Sequence, residues 1–110
     1  MAITVLIYYT GEGNNAAVFA QEMCESGVVE AIRKEKGNLQ YDYFFPMEEP
    51  QTVLLIDRWE NQQALDRHHA SPMMAKIIAL REKYDLHMRV ERYHEDDTGI
   101  PANDRAFIRH

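Results

Sequence analysis

Four short runs rich in β-branched and aromatic residues, at 3–10, 39–46, 52–60 and 86–94, are separated by two stretches of helical periodicity. The order is strand, helix, strand, strand, helix, strand, and no other feature narrows the fold as much. The first run ends at Gly11-Glu12-Gly13, and Asn14 or Asn15 is placed to cap a helix from Ala16. Ala20, Met23, Cys24, Val28, Ala31 and Ile32 recur every three or four positions, which predicts one apolar stripe bent at Gly27. Gly37-Asn38, after Lys34-Glu35-Lys36, predicts the stop. In the second run Tyr41, Tyr43 and Phe45 share a face; in the third, Val53, Leu55, Asp57 and Trp59 share one, with Leu54, Ile56, Arg58 and Glu60 opposite. Asn61 is expected to cap a short helix carrying Ala64, Leu65, His68 and His69. Ser71-Pro72 then restarts the chain as an N-cap with proline at the first helical position, and Met73, Ile77, Leu80 and Tyr84 form the next stripe. Leu86, Met88 and Val90 alternate inward with His87, Arg89 and Glu91 outward.

This order predicts an α+β domain with the ferredoxin-like β-α-β-β-α-β arrangement, a four-stranded antiparallel sheet with helices on one face. Phe44, Leu54 and Ile56 leave apolar area on the other face, and two sheets packed face to face would bury it. A homodimer is therefore expected. After Glu95 the composition turns to Asp-Asp-Thr-Gly-Ile-Pro-Ala-Asn-Asp, so the domain is assigned to residues 1–95. Residues 96–110 are assigned to a tail that docks, through Phe107 and Ile108, on its own or the partner protomer.

Composition excludes several classes. Hydrophobic residues at 45% and charged residues at 27% match a folded globular domain rather than a disordered one. Twelve Lys and Arg against eighteen Asp and Glu give a charge of −6, without a basic cluster, which argues against a nucleic-acid partner. The longest nearly apolar run, 2–9, is far shorter than the roughly 20 residues of a membrane-spanning helix. Arg33 is the first basic residue, so the N-terminus has no positive flank of a targeting segment. Cys24 is the single cysteine, which rules out an intrachain disulfide and a thiolate zinc cluster. A reducing, cytoplasmic setting is expected.

The run Asp57-Arg58-Trp59-Glu60-Asn61-Gln62-Gln63-Ala64-Leu65-Asp66-Arg67-His68-His69-Ala70-Ser71-Pro72 resembles the core signature of the antibiotic biosynthesis monooxygenase superfamily. That signature is an acid, any residue, Trp, a polar helix start, Ala-Leu, a His after two more residues, and Ser-Pro. Gly37-Asn38-Leu39-Gln40-Tyr41-Asp42-Tyr43-Phe44 and Lys83-Tyr84 are similar to a quinol monooxygenase branch of it. The resemblance spans about residues 3–93 and implies a dimeric α+β barrel with a pocket between each sheet and its helices. It also implies oxidation without flavin, haem or metal, with a small aromatic molecule and O2 as partners. Haem-degrading members resemble one another in an Asn, a Trp and a His at positions that here hold Tyr8, His68 and Ile78, so haem degradation is disfavoured.

His68 and His69 follow Leu65 by three and four positions, so at least one lies on its buried side. A histidine near its ordinary pKa of about 6.5 accepts a phenolic proton at neutral pH, and the resulting phenolate gives an electron to oxygen far more readily than the phenol. His68 is the expected base; the plainer alternative is a helix-end hydrogen bond. Adjacent histidines point about 100° apart on a helix and cannot chelate one metal together, so no metal site is expected. Asp57 either orients a histidine, accepts a proton itself if burial raises its pKa, or makes a structural hydrogen bond. Trp59, Tyr41, Tyr43, His69 and Met73 are the expected ring-binding residues, with core packing as the alternative for Trp59, the two tyrosines and Met73. Cys24, on the helix stripe, reads as inert packing. The expected function is a cofactor-independent monooxygenase or quinol oxidase acting on a small phenolic or quinol substrate. A non-catalytic dimer that binds an aromatic ligand, or a small-metabolite isomerase using the same base, are the alternatives.

Overall fold

A computed structural model describes residues 1–110. The chain runs β1 (Ile3–Thr10), α1 (Asn15–Glu25), α2 (Val28–Arg33), β2 (Asn38–Phe44), β3 (Thr52–Trp59), α3 (Gln62–His69), α4 (Pro72–Lys83), β4 (His87–His94) and a single-turn α5 (Ala102–Arg105). The strands form one antiparallel sheet in the order β2-β3-β1-β4, which is the ferredoxin-like topology. Cross-strand partners share a face, so the pairings Tyr41↔Asp57, Asp57↔Val5 and Val5↔Arg92 make one row across the sheet. The next row is Tyr43, Leu55, Ile7 and Val90. These rows face the helices, and their Val5, Tyr41 and Leu55 join Phe19, Met23, Ile32 and Trp59 in the core, while Val90 and Arg92 at the β4 edge are exposed.

The single bent helix expected after β1 is two helices. Gly27 adopts φ +85°, which an L side chain rarely tolerates, and its N–H bonds the Cys24 carbonyl as α1 ends. The new axis of α2 buries Val28, Val29 and Ile32 but leaves Cys24 exposed, so Cys24 is not core packing. Neither Asn14 nor Ser71 makes the side-chain cap expected of that region, although both occupy N-cap positions. Asn15 instead donates to the Tyr84 carbonyl, tying α1 to the end of α4. Asn61 does cap α3, its Oδ1 accepting the Ala64 N–H at 2.9 Å.

β2 stops at Phe44, two residues before its expected end, because the Pro46 carbonyl closes a turn with the Glu49 N–H. Phe45 therefore leaves the Tyr41 and Tyr43 stripe and is 71% exposed. Gly37, at φ +87°, lies so close to the start of α3 that a Cβ there would sit 2.5 Å from Ala64 Cβ. That contact seats the 34–37 turn against α3. Beyond β4, Glu95 donates its N–H to the Ala2 carbonyl and its carboxylate pairs with Arg58, while residues 96–110 are exposed throughout.

Candidate active site

A cavity of about 290 Å³ lies between the helix-facing rows of the sheet and helices α3 and α4. Val5, Ile7 and Leu55 form its floor, and Leu65, Met74 and Ile77 roof it. Met88 and Val90 of the edge strand β4 also line it and are 38% and 53% exposed, so the mouth opens along β4. Ten of the fifteen lining residues are hydrophobic, which suits a flat apolar body, and the polar groups are few: Asp57, His68, His69, Arg81, Arg92 and the hydroxyls of Tyr9 and Tyr41.

His68 is the buried member of the histidine pair, 3% exposed, because it follows the fully buried Ala64 by one helical turn. Its Nδ1 lies 2.7 Å from Glu35 Oε2, and its ring stacks on Trp59 at a centroid distance of 4.7 Å. Burial holds the imidazole below its ordinary pKa, against the opposing pull of the Glu35 carboxylate. The neutral ring then donates Nδ1–H to Glu35 and keeps its lone pair on Nε2, the arrangement a proton acceptor needs.

Asp57 has a different partner. Trp59 Nε1–H donates to Asp57 Oδ1 at 2.6 Å, although both side chains belong to the same strand two residues apart. Burial pushes the Asp57 carboxyl up to about 7, with the indole bond working against the shift and the charge of Glu35 adding to it. Near neutral pH it can give or take a proton. Tyr9 and Tyr41, buried beside it, are held above the ordinary phenol range by desolvation and stay protonated donors.

The structure thus brings His68, Asp57, Tyr41 and His69 to the cavity wall. It separates three other expected residues from it. Trp59 is 0% exposed and stands behind the wall, where it holds His68 and Asp57 rather than a ligand ring. Tyr43 lies on the edge strand β2 beside Leu55, edge-on to Phe19 and Tyr41, with its buried hydroxyl unpartnered and outside the cavity. Met73 gives way to Met74, since α4 turns the second of the two thioethers to the cavity. The orienting carboxylate for His68 is Glu35, not Asp57; the two positions are 33 residues apart in the chain, and nothing in their spacing pairs them. Arg81 and Arg92 were legible by periodicity, one turn beyond Ile77 and two positions beyond Val90. No group of three or more His, Cys, Asp or Glu side chains is placed to hold a metal ion.

The sequence model of the antibiotic biosynthesis monooxygenase family matches residues 2–80. The chain belongs to that family. No curated protein matches it. Its fold is shared with solved structures of low identity. A Deinococcus radiodurans protein described under the same family name is 21% identical with a TM-score of 0.75, over 88% of this chain and 94% of that one. A conserved Methanosarcina mazei protein is 23% identical with a TM-score of 0.73, over 87% and 94%. SnoaB, described as a cofactor-independent oxygenase from Streptomyces nogalater, is 13% identical with a TM-score of 0.71, over 89% and 96%. The family match ends inside α4, so Arg81 and all of β4 lie beyond it. No helix of this family member is long and apolar enough to cross a membrane.

Proposed function

We propose that this protein is a cofactor-independent oxygenase for a small phenolic or quinol substrate, with His68 as the base. The observation that carries the reading is a buried imidazole on the wall of an apolar cavity, its Nδ1 2.7 Å from Glu35 Oε2. His68 Nε2 takes the phenolic proton, and the phenolate transfers one electron to O2. Substrate radical and superoxide combine into a C–O bond. Loss of the proton from that carbon breaks the O–O bond of the protonated peroxide, so a phenolic O–H, a ring C–H and O2 become a quinone and water without an external reductant. A simple hydroquinone would stop earlier, giving quinone and H2O2. Protonated Asp57 is placed to supply a proton to the peroxide. The description of SnoaB as a cofactor-independent oxygenase supports the class of reaction.

The pairing of a neutral base with a carboxyl near pH 7 favours a second reading, an isomerase that moves a proton without oxygen. Oxygen uptake by chelator-treated protein with a panel of hydroquinones separates the two. Uptake above autoxidation, lowered about 10²–10⁴-fold in His68→Ala, supports cofactor-free oxidation over isomerisation. Uptake that His68→Ala leaves intact overturns the role of His68. The working unit in this proposal is a homodimer joined through the uncovered sheet face, with residues 1–95 as the domain and 96–110 as a tail that docks on either protomer.

A further inference from the structure

We propose that Arg81 and Arg92 form a receptor for an anionic group, so that the cavity selects a ring bearing a carboxylate or sulfonate over a neutral one. This rests on the reading of the cavity as an aromatic site, but not on oxygen chemistry. Five of the twelve Lys and Arg side chains pair with an acidic neighbour: Arg33 with Asp42, Lys34 with Glu30, Arg58 with Glu95, Lys83 with Glu22 and Arg89 with Glu91. The two arginines on the cavity wall have no carboxylate within 4.0 Å. Arg81 Nη1 donates only to the Met88 thioether at 3.4 Å, a weak acceptor, and Arg92 Nη2 donates to the neutral Gln62 amide. Each guanidinium carries five N–H donors in a planar fork, so most of this capacity is free of protein acceptors.

Their placement suits a substituted ring. Arg92 shares its sheet row with Asp57, separated by Val5, and two strand spacings put roughly 10 Å between the two backbones. One substituted ring with the two side chains reaching toward it bridges that gap. Arg81 projects from α4 near enough to Tyr9 for its charge to oppose the burial shift of that hydroxyl. The cavity is therefore polarised, with Asp57 and His68 at the inner end and two cations toward the β4 mouth. Asp57 is the one acidic residue of the lining, and a bound anion would favour its protonated form. An oxyanion leaving water for an apolar cavity needs such charged donors.

Trp59 is the only tryptophan and stacks on His68, so its fluorescence reports ligand binding at the wall. Anaerobic titrations would use 2,5-dihydroxybenzoate, 2,5-dihydroxybenzenesulfonate, hydroquinone, methyl 2,5-dihydroxybenzoate and cyclohexanecarboxylate. The expected result is affinity for the two aromatic anions about tenfold or more above that for hydroquinone and the methyl ester, falling about tenfold in Arg81→Gln and in Arg92→Gln. Hydroquinone affinity should fall far less than that for the anions in both variants, and circular dichroism with the urea midpoint shows that they are folded. Carboxylate bound in preference to sulfonate supports planar, two-point recognition; equal binding supports recognition of charge. A methyl ester that binds as well as the acid, or variants that lose neutral and anionic ligands alike, overturns the receptor. Cyclohexanecarboxylate binding as tightly as the aromatic acids, with the same arginine dependence, upholds the receptor and overturns the aromatic reading instead. Absence of binding by all five overturns both.

Discussion

The ring of His68 lies against the indole of Trp59, centroids 4.7 Å apart and planes inclined by 27°. The same indole donates its N–H to Asp57, so one fully buried side chain sets the position of both titratable groups on the cavity wall. Trp59→Phe keeps an aromatic face for His68 but removes the donor to Asp57. The ionised carboxylate loses the one bond that favours it, and the Asp57 pKa should move further up. Carbon NMR of the labelled Asp57 carboxyl measures this directly. Stability should fall by about 1–3 kcal/mol from the lost buried hydrogen bond and the smaller ring. A midpoint that stays in place would show that the indole N–H does not control Asp57.

Glu35 acts on the chemistry through His68. Its carboxylate opposes the burial that lowers the imidazole pKa, so Glu35→Gln keeps an acceptor for Nδ1–H while removing the charge. The imidazole should then titrate lower still, and the acid limb of kcat/KM should move to lower pH. The plateau should drop about tenfold because the weaker base takes the phenolic proton less readily. A merely structural role would lower the rate at every pH and leave the limb where it was.

Asp57 links the cavity to stability. Its pKa is about 7 folded against an ordinary value of 3.8, so between those values the folded chain holds a proton that the unfolded chain has lost. The stabilisation is complete below pH 3.8 and is lost as pH rises to about 7, at about 1.4 kcal/mol per pH unit. Asp57→Asn has no such dependence and retains an acceptor for the indole. Its stability relative to the parent should therefore climb by on the order of 4 kcal/mol from pH 4 to pH 7, then level off. His68 contributes the opposite slope, with stability lost as pH falls below its ordinary value, but it is present in both proteins. Urea unfolding across that range gives the difference, and parallel curves would show that Asp57 is not buried as an acid.

How far the sequence can be read follows from the range of the interactions. The strands, their faces and the cap at Asn61 depend on residues within a few positions, and the periodicity of hydrophobic side chains reports them. Asp57 and Trp59 are identifiable as one face of a strand for the same reason, and Leu65 to His68 as one helical turn. Glu35 is different: it meets His68 only because Gly27 redirects α2 and Gly37 then lets the turn close against Ala64. Tyr43 fails as a ligand contact because alternation assigns it a face but not a place across the sheet: the cavity reaches its cross-strand partners Leu55, Ile7 and Val90 but touches β2 only at Tyr41.

Gly37 gives that argument a direct test. Alanine there must adopt φ +87° and place Cβ 2.5 Å from Ala64 Cβ, so both strain and overlap push the 34–37 turn away from α3. Gly37→Ala should cost about 2–4 kcal/mol in chemical denaturation. It should also lower kcat/KM and move its acid limb in the direction of Glu35→Gln, since the carboxylate withdraws from His68. Loss of stability with an unmoved limb would mean that the turn does not set the Glu35–His68 bond.

The uncovered sheet face makes the last prediction. Leu6, Tyr8, Leu54, Ile56 and Phe44 adjoin one another across β1, β3 and β2, and the Arg89 guanidinium covers the Tyr8 ring at 4.0 Å. Ile56 is central, with Asp42 beside it on β2, and Leu6 separates it from Glu91 on β4. If two sheets pack face to face, Ile56→Glu adds a third acid to that row in each protomer, and it must be desolvated against its copy. Light scattering after size exclusion should read a dimer for the parent and a monomer for the variant at micromolar concentration. Circular dichroism should be preserved, because the substituted side chain is solvated in the isolated protomer. A parent that is monomeric, or a variant that stays dimeric, would place the interface elsewhere.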